Sequence, residues 1–220
     1  MSNPTQYYPT PPEAVIPLRE WLDQQLPDAG TNLLDPCAGR GALPLFIGGP
    51  HRWRCLELLS AFRADLMAVP QVDDVRGLNA LHARWPPWHV VANPPYGREL
   101  VAFAERIAVH CRKHRVIGAM LSRVTFWGEG TRSDLDPDLL LWIRGRISFT
   151  GDGKADSSSH CWAIWLPLPG DGTRVRWCDK GTPTDEEVAA WRAMLGLEGS
   201  QIGLFKPNGQ RGGDGLAAES

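Results

Sequence analysis

The 220-residue sequence has few of the features that mark specialised classes of protein. Its five cysteines are odd in number and form no C-x-x-C pair, which argues against a disulfide scaffold and against a zinc site. No apolar run approaches the about 18 residues of a membrane span, and no basic region precedes an apolar stretch at the N-terminus. We therefore expect a cytoplasmic protein that uses neither a membrane nor a metal.

A large excess of charge of one sign is also lacking. The formal net charge is −2 and the pI is about 6.3, which argues against a basic protein that coats nucleic acid. Any contact with DNA or RNA must then be confined to one face of the molecule. Hydrophobic residues make up 43% of the chain and charged residues 22%, which is the composition of a folded globular protein.

Strand and helix patterns alternate along the chain. Thr10 with Glu13 and Thr184 with Glu187 have the spacing of capping boxes, in which side chains satisfy free backbone groups of the first helical turn. Helices are predicted at 11–26, after Gly41, after Ser60, at 100–112 and at 184–195, and strands at 31–34, 53–57, 72–75, 88–92, 116–121, 143–149 and 161–166, with a weaker pattern at 174–178. This alternation predicts an α/β fold with a mostly parallel sheet.

Two of the predicted strands end on residues suited to hold a nucleotide-like ligand, and ligands of such sheets bind at the carboxyl ends of the strands. After the strand at 31–34 comes Asp35-Pro36-Cys37-Ala38-Gly39-Arg40-Gly41, in which glycines let the backbone approach a ligand and the acid can receive a positive charge. Glu57 ends the next strand, where a carboxylate can take both hydroxyls of a ribose. Taken alone, the glycine segment is explained equally well as a plain structural turn, and Glu57 is better explained as a solvated acid at a strand end.

A third strand end is more specific. Asn93-Pro94-Pro95-Tyr96 follows the apolar strand at 88–92, and the prolines fix the chain so that the Asn93 side chain and the Pro94 carbonyl can face one small target. Two acceptors at one place suit an exocyclic amino group, which offers two N–H donors. Drawing those hydrogens out of the ring plane would localise the nitrogen lone pair and favour attack on an electrophilic methyl carbon. Tyr96 offers a ring face on which a base can stack.

Together these residues resemble the S-adenosylmethionine-dependent N6-adenine DNA methyltransferases of the NPPY type, particularly the small enzymes of phages and prophages. The resemblance rests on YYPTPPEAV, DPCAGRGAL, Glu57 and NPPYG in that order and on the later stretch GRISFTG…SSSHCWAIW, and it covers roughly residues 6–166. It implies a Rossmann-like class I methyltransferase fold, with a mostly parallel seven-stranded sheet and helices on both faces. It also implies an enzyme that acts on DNA in a bacterial cell or a phage-infected host.

The resemblance further implies roles for individual residues. One position departs from the family pattern, because Asn79 stands near the place where the family usually has an aspartate for the adenine of the cofactor. Asn79 brings no charge, and Asp73 or Asp74 can take that role in a shifted alignment. Asn93, Pro94, Pro95 and Tyr96 would grip the target adenine, and S-adenosylmethionine would be held by Tyr8, Thr10, Pro11, Asp35, Pro36, Gly39, Gly41, Glu57, Asn79 and Asn93.

An adenine inside a duplex cannot reach a pocket at a sheet edge, so we expect the target base to be flipped out. Phe126 or Trp127 can close the second face of that base, or both can be buried beneath their loop. Arg98, Arg123 and Arg132 flank the predicted pocket and are the candidate phosphate contacts. Only 54 residues follow position 166, which is too few for a large recognition domain and predicts a short recognition sequence or low specificity.

Residues 1–180 are predicted to form the catalytic domain, 181–208 a C-terminal helical appendage and 209–220 a disordered tail. Three other methyl acceptors stay open at this point, namely RNA adenine, cytosine N4 and the amide of a protein glutamine. A non-catalytic prophage relic or binding subunit is the alternative from a different class, and Asn79 is its one hint. The oligomeric state does not follow from the sequence.

Overall fold

The computed structural model describes residues 8–26, 28, 30–128, 135–151, 154 and 156–197. The predicted tail at 209–220, the end of the predicted appendage and Arg132 lie outside these ranges. Five helices are described: α1 (Pro12–Gln25), α2 (Ala42–Ile47), α3 (Ser60–Met67), α4 (Arg98–His114) and α5 (Asp185–Met194). The strands are β1 (Asn32–Asp35), β2 (Arg52–Leu56), β3 (Val72–Arg76), β4 (His89–Ala92), β5 (Gly118–Arg123), β6 (Leu139–Ile143), β7 (His160–Trp165) and β8 (Arg174–Cys178).

The strands form one sheet in the order β3-β2-β1-β4-β5-β7-β6-β8. All neighbouring pairs are parallel except those that involve β7, which runs antiparallel to both β5 and β6. The carboxyl ends of β1, β2, β4, β5, β6 and β8 therefore lie along the same edge of the sheet. The sheet has eight strands rather than the predicted seven, because the weak pattern at 174–178 forms the edge strand β8.

Helices cover both faces of this sheet, as the family resemblance implies. The apolar residues of α1, α2 and α5 pack on one face with Leu33, Trp53 and Trp162. Helix α4 packs on the other face through Phe103, Ala104 and Ile107. Within the described ranges, no helix combines the length and apolar character that crossing a membrane requires.

The predicted strand at 143–149 is wrong. The strand is Leu139–Ile143, and the chain turns immediately afterwards because Gly145 has φ +82°, a left-handed conformation that favours glycine. Ile147 and Phe149 are nevertheless buried in the core, so their alternation reflects burial in an irregular segment and not a strand. The loop predicted after β5 instead begins with a short 3₁₀ helix, Val124–Trp127.

The two predicted capping boxes have different outcomes. At α5, Glu187 N–H donates to the Thr184 hydroxyl and Thr184 N–H donates to the Glu187 carboxylate, so the box is present. At α1 the predicted box is wrong, because Pro11 precedes the helix and no side chain caps it. The Glu13 carboxylate instead accepts from Ser148 N–H at 3.1 Å and pairs with Lys180 at 3.3 Å, far along the chain.

Candidate functional site

Hydrogen bonds to the Glu57 carboxylate connect the carboxyl ends of β1 and β2. Glu57, which follows β2 and is 8% exposed, accepts from Gly39 N–H at 2.7 Å through Oε2 and from Leu59 N–H at 2.7 Å through Oε1. The glycine loop after β1 is thereby tied to the acid after β2. Each carboxylate oxygen can still accept another hydrogen bond, for example from a sugar hydroxyl.

Asp35, the last residue of β1, is a buried acid beside this carboxylate. Its side chain is 1% exposed, and its Oδ1 accepts from Cys37 N–H at 3.0 Å. Burial, together with the nearby charge of Glu57, raises the pKa of Asp35 to about 8, and the hydrogen bond from Cys37 opposes this rise. No Lys, Arg or His of the described ranges forms an ion pair with Asp35. The Asp35 carboxyl is therefore protonated near neutral pH in the ligand-free protein, and a cationic ligand would favour its ionised form.

Gly41 has a structural reason to be glycine. Its φ is +90°, and a Cβ built there would lie 2.9 Å from Leu66 Cδ1 and 2.9 Å from Val69 Cγ2. The close approach is thus to α3 and the turn that follows it, which holds the glycine loop against the core. Gly39, with φ +55°, supplies the N–H that reaches Glu57.

Asn93 follows β4, next to the loop after β1. Its amide Nδ2 donates to the Thr10 hydroxyl at 2.9 Å, and Thr10 is only 2% exposed. Asn93 Oδ1 is buried and has no hydrogen-bond partner among the described residues. An unpaired buried acceptor is costly, so this oxygen is available to a donor that arrives with a ligand. The sequence predicts that the Thr10 hydroxyl caps α1, but in the structure it accepts a hydrogen bond from this amide.

The ring of Tyr96 lies near two side chains that the sequence does not connect with it. The Arg123 guanidinium lies 5.5 Å from the ring centre, and the His160 ring lies 6.1 Å away, centre to centre. Burial raises the pKa of Tyr96 above its ordinary value, and its hydroxyl has no partner among the described residues. His160 is fully buried, and its Nε2 lies 3.5 Å from Asp156 Oδ2. No local pattern in the sequence marks His160, because only the register of β7 brings it under Tyr96.

Phe126 and Trp127 pack inward in this structure. Phe126 is 9% exposed and meets Trp127 edge to face at 4.8 Å, while the Trp127 indole N–H donates to Ser122 Oγ at 2.8 Å. Trp127 also contacts the fully buried Trp165 at 5.8 Å. These rings therefore match the buried alternative of the sequence analysis, and closing the second face of a base would require them to leave these contacts.

The remaining predicted residues occupy different parts of this region. Asn79 is exposed beyond the carboxyl end of β3, where its Oδ1 accepts from Leu81 N–H at 2.9 Å in a local turn. Asp73 pairs with Arg52, and Asp74 pairs with Arg54 and Arg76, so both acids are engaged within β2 and β3. Pro11, Pro36 and Pro94 are buried, and Tyr8, Pro95 and Arg98 are exposed.

Solved structures of similar shape support the architecture. The chain is similar to a candidate class I S-adenosylmethionine-dependent methyltransferase from Listeria monocytogenes, with a TM-score of 0.59, 13% identity, and coverage of 86% of this chain and 71% of the other. It is also similar to a candidate RNA methyltransferase from Pyrococcus horikoshii, with a TM-score of 0.58, 17% identity, and coverage of 75% of this chain and 90% of the other.

A third similar structure is the modification subunit of a candidate type I restriction enzyme from Vibrio vulnificus, with a TM-score of 0.51, 12% identity, and coverage of 84% of this chain and 49% of the other. No protein-family model and no curated protein matches the sequence. At these identities the likeness concerns the fold. The eight-stranded, mostly parallel sheet with helices on both faces is the Rossmann-like fold of class I methyltransferases.

Proposed function

We propose that the protein is an S-adenosylmethionine-dependent DNA methyltransferase that modifies the N6 amino group of adenine. The observation that carries this proposal is the Asn93 amide, whose Nδ2 is held by Thr10 and whose Oδ1 is buried without a partner among the described residues. An acceptor left unpaired in this way suits a ligand that brings an N–H donor. The exocyclic amino group of adenine is such a donor.

The residues at the ends of β1 and β2 fit the proposed cofactor. Glu57 can accept ribose hydroxyls. The Asp35 carboxyl, which is protonated near neutral pH in the ligand-free protein, would ionise beside a ligand that carries a sulfonium and an ammonium group. When bound, this cofactor supplies an electrophilic methyl carbon. Asp35 and the Gly39 loop would hold it beside Asn93, since β1 and β4 are adjacent strands whose carboxyl ends meet.

Asn93 and Tyr96 would then orient the acceptor base. Asn93 Oδ1 and the Pro94 carbonyl would each accept one hydrogen of the amino group, which localises the nitrogen lone pair toward the methyl carbon. Tyr96, which packs near Arg123 and His160, would support the ring of the base. No strong general base is needed, because the amino group becomes acidic once it is methylated and loses its proton to water. The acceleration would come mainly from proximity and orientation.

The test is methyl transfer by the purified full chain. Labelled S-adenosylmethionine and the protein are incubated in parallel with adenine-containing DNA, with RNA and with protein, and the labelled nucleosides or amino acids are identified by mass spectrometry. We expect N6-methyladenine, and we expect Asn93→Ala to lower kcat about 100-fold or more, as loss of one preorganised polar contact does in other enzymes. Cofactor affinity measured by calorimetry should change less than about threefold.

Asn32→Ala is the matched control, because Asn32 is exposed at the amino end of β1, the opposite edge of the sheet. It should retain full activity. Label that appears on RNA, on cytosine or on a protein glutamine instead of DNA adenine contradicts the proposed substrate. A folded protein that binds no S-adenosylmethionine contradicts the proposed enzyme, and full activity of Asn93→Ala contradicts the proposed role of Asn93.

A further inference from the structure

A row of four side chains crosses the sheet near its carboxyl edge. Ser122 of β5 pairs with Cys161 of β7, Cys161 pairs with Trp142 of β6, and Trp142 pairs with Trp177 of β8. Residues that are directly paired point to the same face of a sheet. The row therefore begins at Ser122, which accepts the Trp127 indole N–H, and ends on the edge strand at Trp177.

The outer end of this row is exposed. Trp177 is 51% exposed and its neighbour on the same face, Val175, is also 51% exposed. Trp177 lies against Trp142 with ring centres 4.7 Å apart and planes inclined by 31°. An indole that is supported by a second indole and open to solvent is a rigid platform that loses little conformational freedom when a planar group stacks on it.

Positive charge borders the platform. The Arg144 guanidinium lies 5.9 Å from the centre of the Trp177 ring, and its side chain is 60% exposed. Its ion pair with Asp179 is 3.5 Å long, and the Asp179 side chain is 82% exposed, so this pair is weak enough to give way to a phosphate.

The charge of β8 argues against a second copy of the chain as the occupant. Two such five-residue strands paired edge to edge would bring Arg174 and Arg176 close to the arginines of the partner strand. Like charges across a strand pair are destabilising, and charged edge strands are a common defence against such pairing. Aromatic rings beside arginine, by contrast, are the combination that stacks bases and binds phosphates in proteins that hold single-stranded nucleic acid.

The platform is also within reach of the site. From β4 to β8 there are four strand spacings, or about 19 Å at about 4.8 Å each. A stacked nucleic-acid strand covers that distance with about six nucleotides at about 3.4 Å each. A strand whose adenine enters at Asn93 can therefore run along the carboxyl edge to Trp177.

We propose that Trp177, supported by Trp142 and bordered by Arg144, is a docking surface for a single-stranded segment of DNA. The identity of this nucleic acid rests on the proposed function, whereas stacking and phosphate contact at the surface do not. The platform would hold bases that flank the target and would favour unpaired over duplex flanks, because only an unpaired base exposes its ring face to Trp177.

The test uses the full chain and a fluorescent 20-nucleotide oligothymidylate, which contains no adenine and cannot act as methyl acceptor. Binding is followed by fluorescence anisotropy. We expect Trp177→Ala to weaken binding about tenfold or more and Trp177→Phe to stay within about threefold of wild type. Leu168→Ala is the control, because Leu168 is 67% exposed but follows β7 at the opposite edge of the sheet. It should bind normally, as should Asn93→Ala.

Hydroxyl-radical labelling read by mass spectrometry provides a second readout that does not depend on a variant. Trp177 should be labelled in the free chain and protected by the oligothymidylate, while Met67, 59% exposed on α3, should be labelled equally in both. Normal binding by Trp177→Ala overturns the proposal. So does a Trp177 that is already protected in the free chain, or a variant that changes only the oligomeric state. If adenine methylation fails but Trp177 still governs binding, the proposed function falls and the docking surface stands.

Discussion

At the scale of single residues, the orientation of the Asn93 amide depends on one hydroxyl. Thr10 accepts the only hydrogen bond that Asn93 Nδ2 makes among the described residues, and Thr10 is only 2% exposed. Without this bond the amide can rotate about its last torsion and exchange its oxygen with its nitrogen. The nitrogen would then face the amino group of the substrate, and two donors repel each other.

We therefore expect Thr10→Val to lower kcat about tenfold, with the cofactor Kd unchanged within about threefold, because the loss is one of orientation. Thr10→Ser keeps the hydroxyl and should restore most of kcat. Steady-state kinetics and calorimetry separate the two parameters. The opposite pattern, a normal kcat with a raised cofactor Kd, would make Thr10 a cofactor contact, which is the role that the sequence resemblance implies.

At the scale of elements, the chain brings the end of α5 back to the segment before α1. The indole N–H of Trp191, which is 8% exposed, donates to the Pro9 carbonyl at 3.1 Å, next to Thr10 in sequence. Arg19 of α1 and Glu187 of α5 form an ion pair of 2.8 Å beside it. Helix α5 thus fixes the peptide that carries the hydroxyl for Asn93.

Replacing Trp191 by Phe removes the donor and leaves an aromatic ring. We expect the free energy of unfolding to fall by about 1–3 kcal/mol, since the buried Pro9 carbonyl loses its partner and some volume is lost. Urea denaturation measures this change. Trp177→Phe is the matched control, because that indole is 51% exposed, and it should shift stability by no more than about 0.5 kcal/mol. Equal losses in the two variants would contradict the anchoring role of Trp191.

The elements also show how far local pattern predicts structure. Strands β1, β4 and β7 lie within one residue of their predicted positions, because each is a short, mostly buried and mostly apolar run that follows turn residues. Two T-x-x-E motifs with the same spacing have opposite outcomes. Thr184 and Glu187 cap α5, whereas Thr10 and Glu13 are taken by partners 83 and 135 residues away. Such distant partners are brought close only when the sheet assembles, so the local sequence does not predict them.

At the scale of the whole molecule, the sheet order decides which predicted residues meet. Asp35, Gly39, Glu57 and Asn93 were predicted from their places at strand ends, and the adjacency of β1 with β2 and β4 brings them together. The row from Ser122 to Trp177 was not predicted, because it depends on the insertion of β7 between β5 and β6. Strand β8 gave a weak pattern because both of its faces are largely exposed.

Burial of Asp35 at the site makes the free energy of unfolding of the whole molecule depend on pH. An ordinary Asp has a pKa of 3.8, and burial raises that of Asp35 to about 8, so between these values the folded state holds a proton that the unfolded state lacks. The contribution of Asp35 to stability is complete below about pH 4 and is lost as pH rises toward 8, by about 1.4 kcal/mol per pH unit. The pKa of Asp138 is shifted in the opposite direction. Burial would raise it, but Arg112 and the backbone N–H groups of Leu166 and Gly170 lower it overall.

Asp35→Asn should remove this dependence on pH, because a neutral amide resembles the protonated acid and can still accept from Cys37 N–H. We expect the cofactor-free variant to gain stability relative to wild type as pH rises from 5 to 7.5. Taking the difference between the two proteins cancels the contributions of all the titrating groups that they share. Urea denaturation at several pH values measures it. A difference that does not change with pH would mean that Asp35 is ionised in the folded protein, and the negative charge proposed to receive the cofactor's cationic groups would then already be in place at neutral pH.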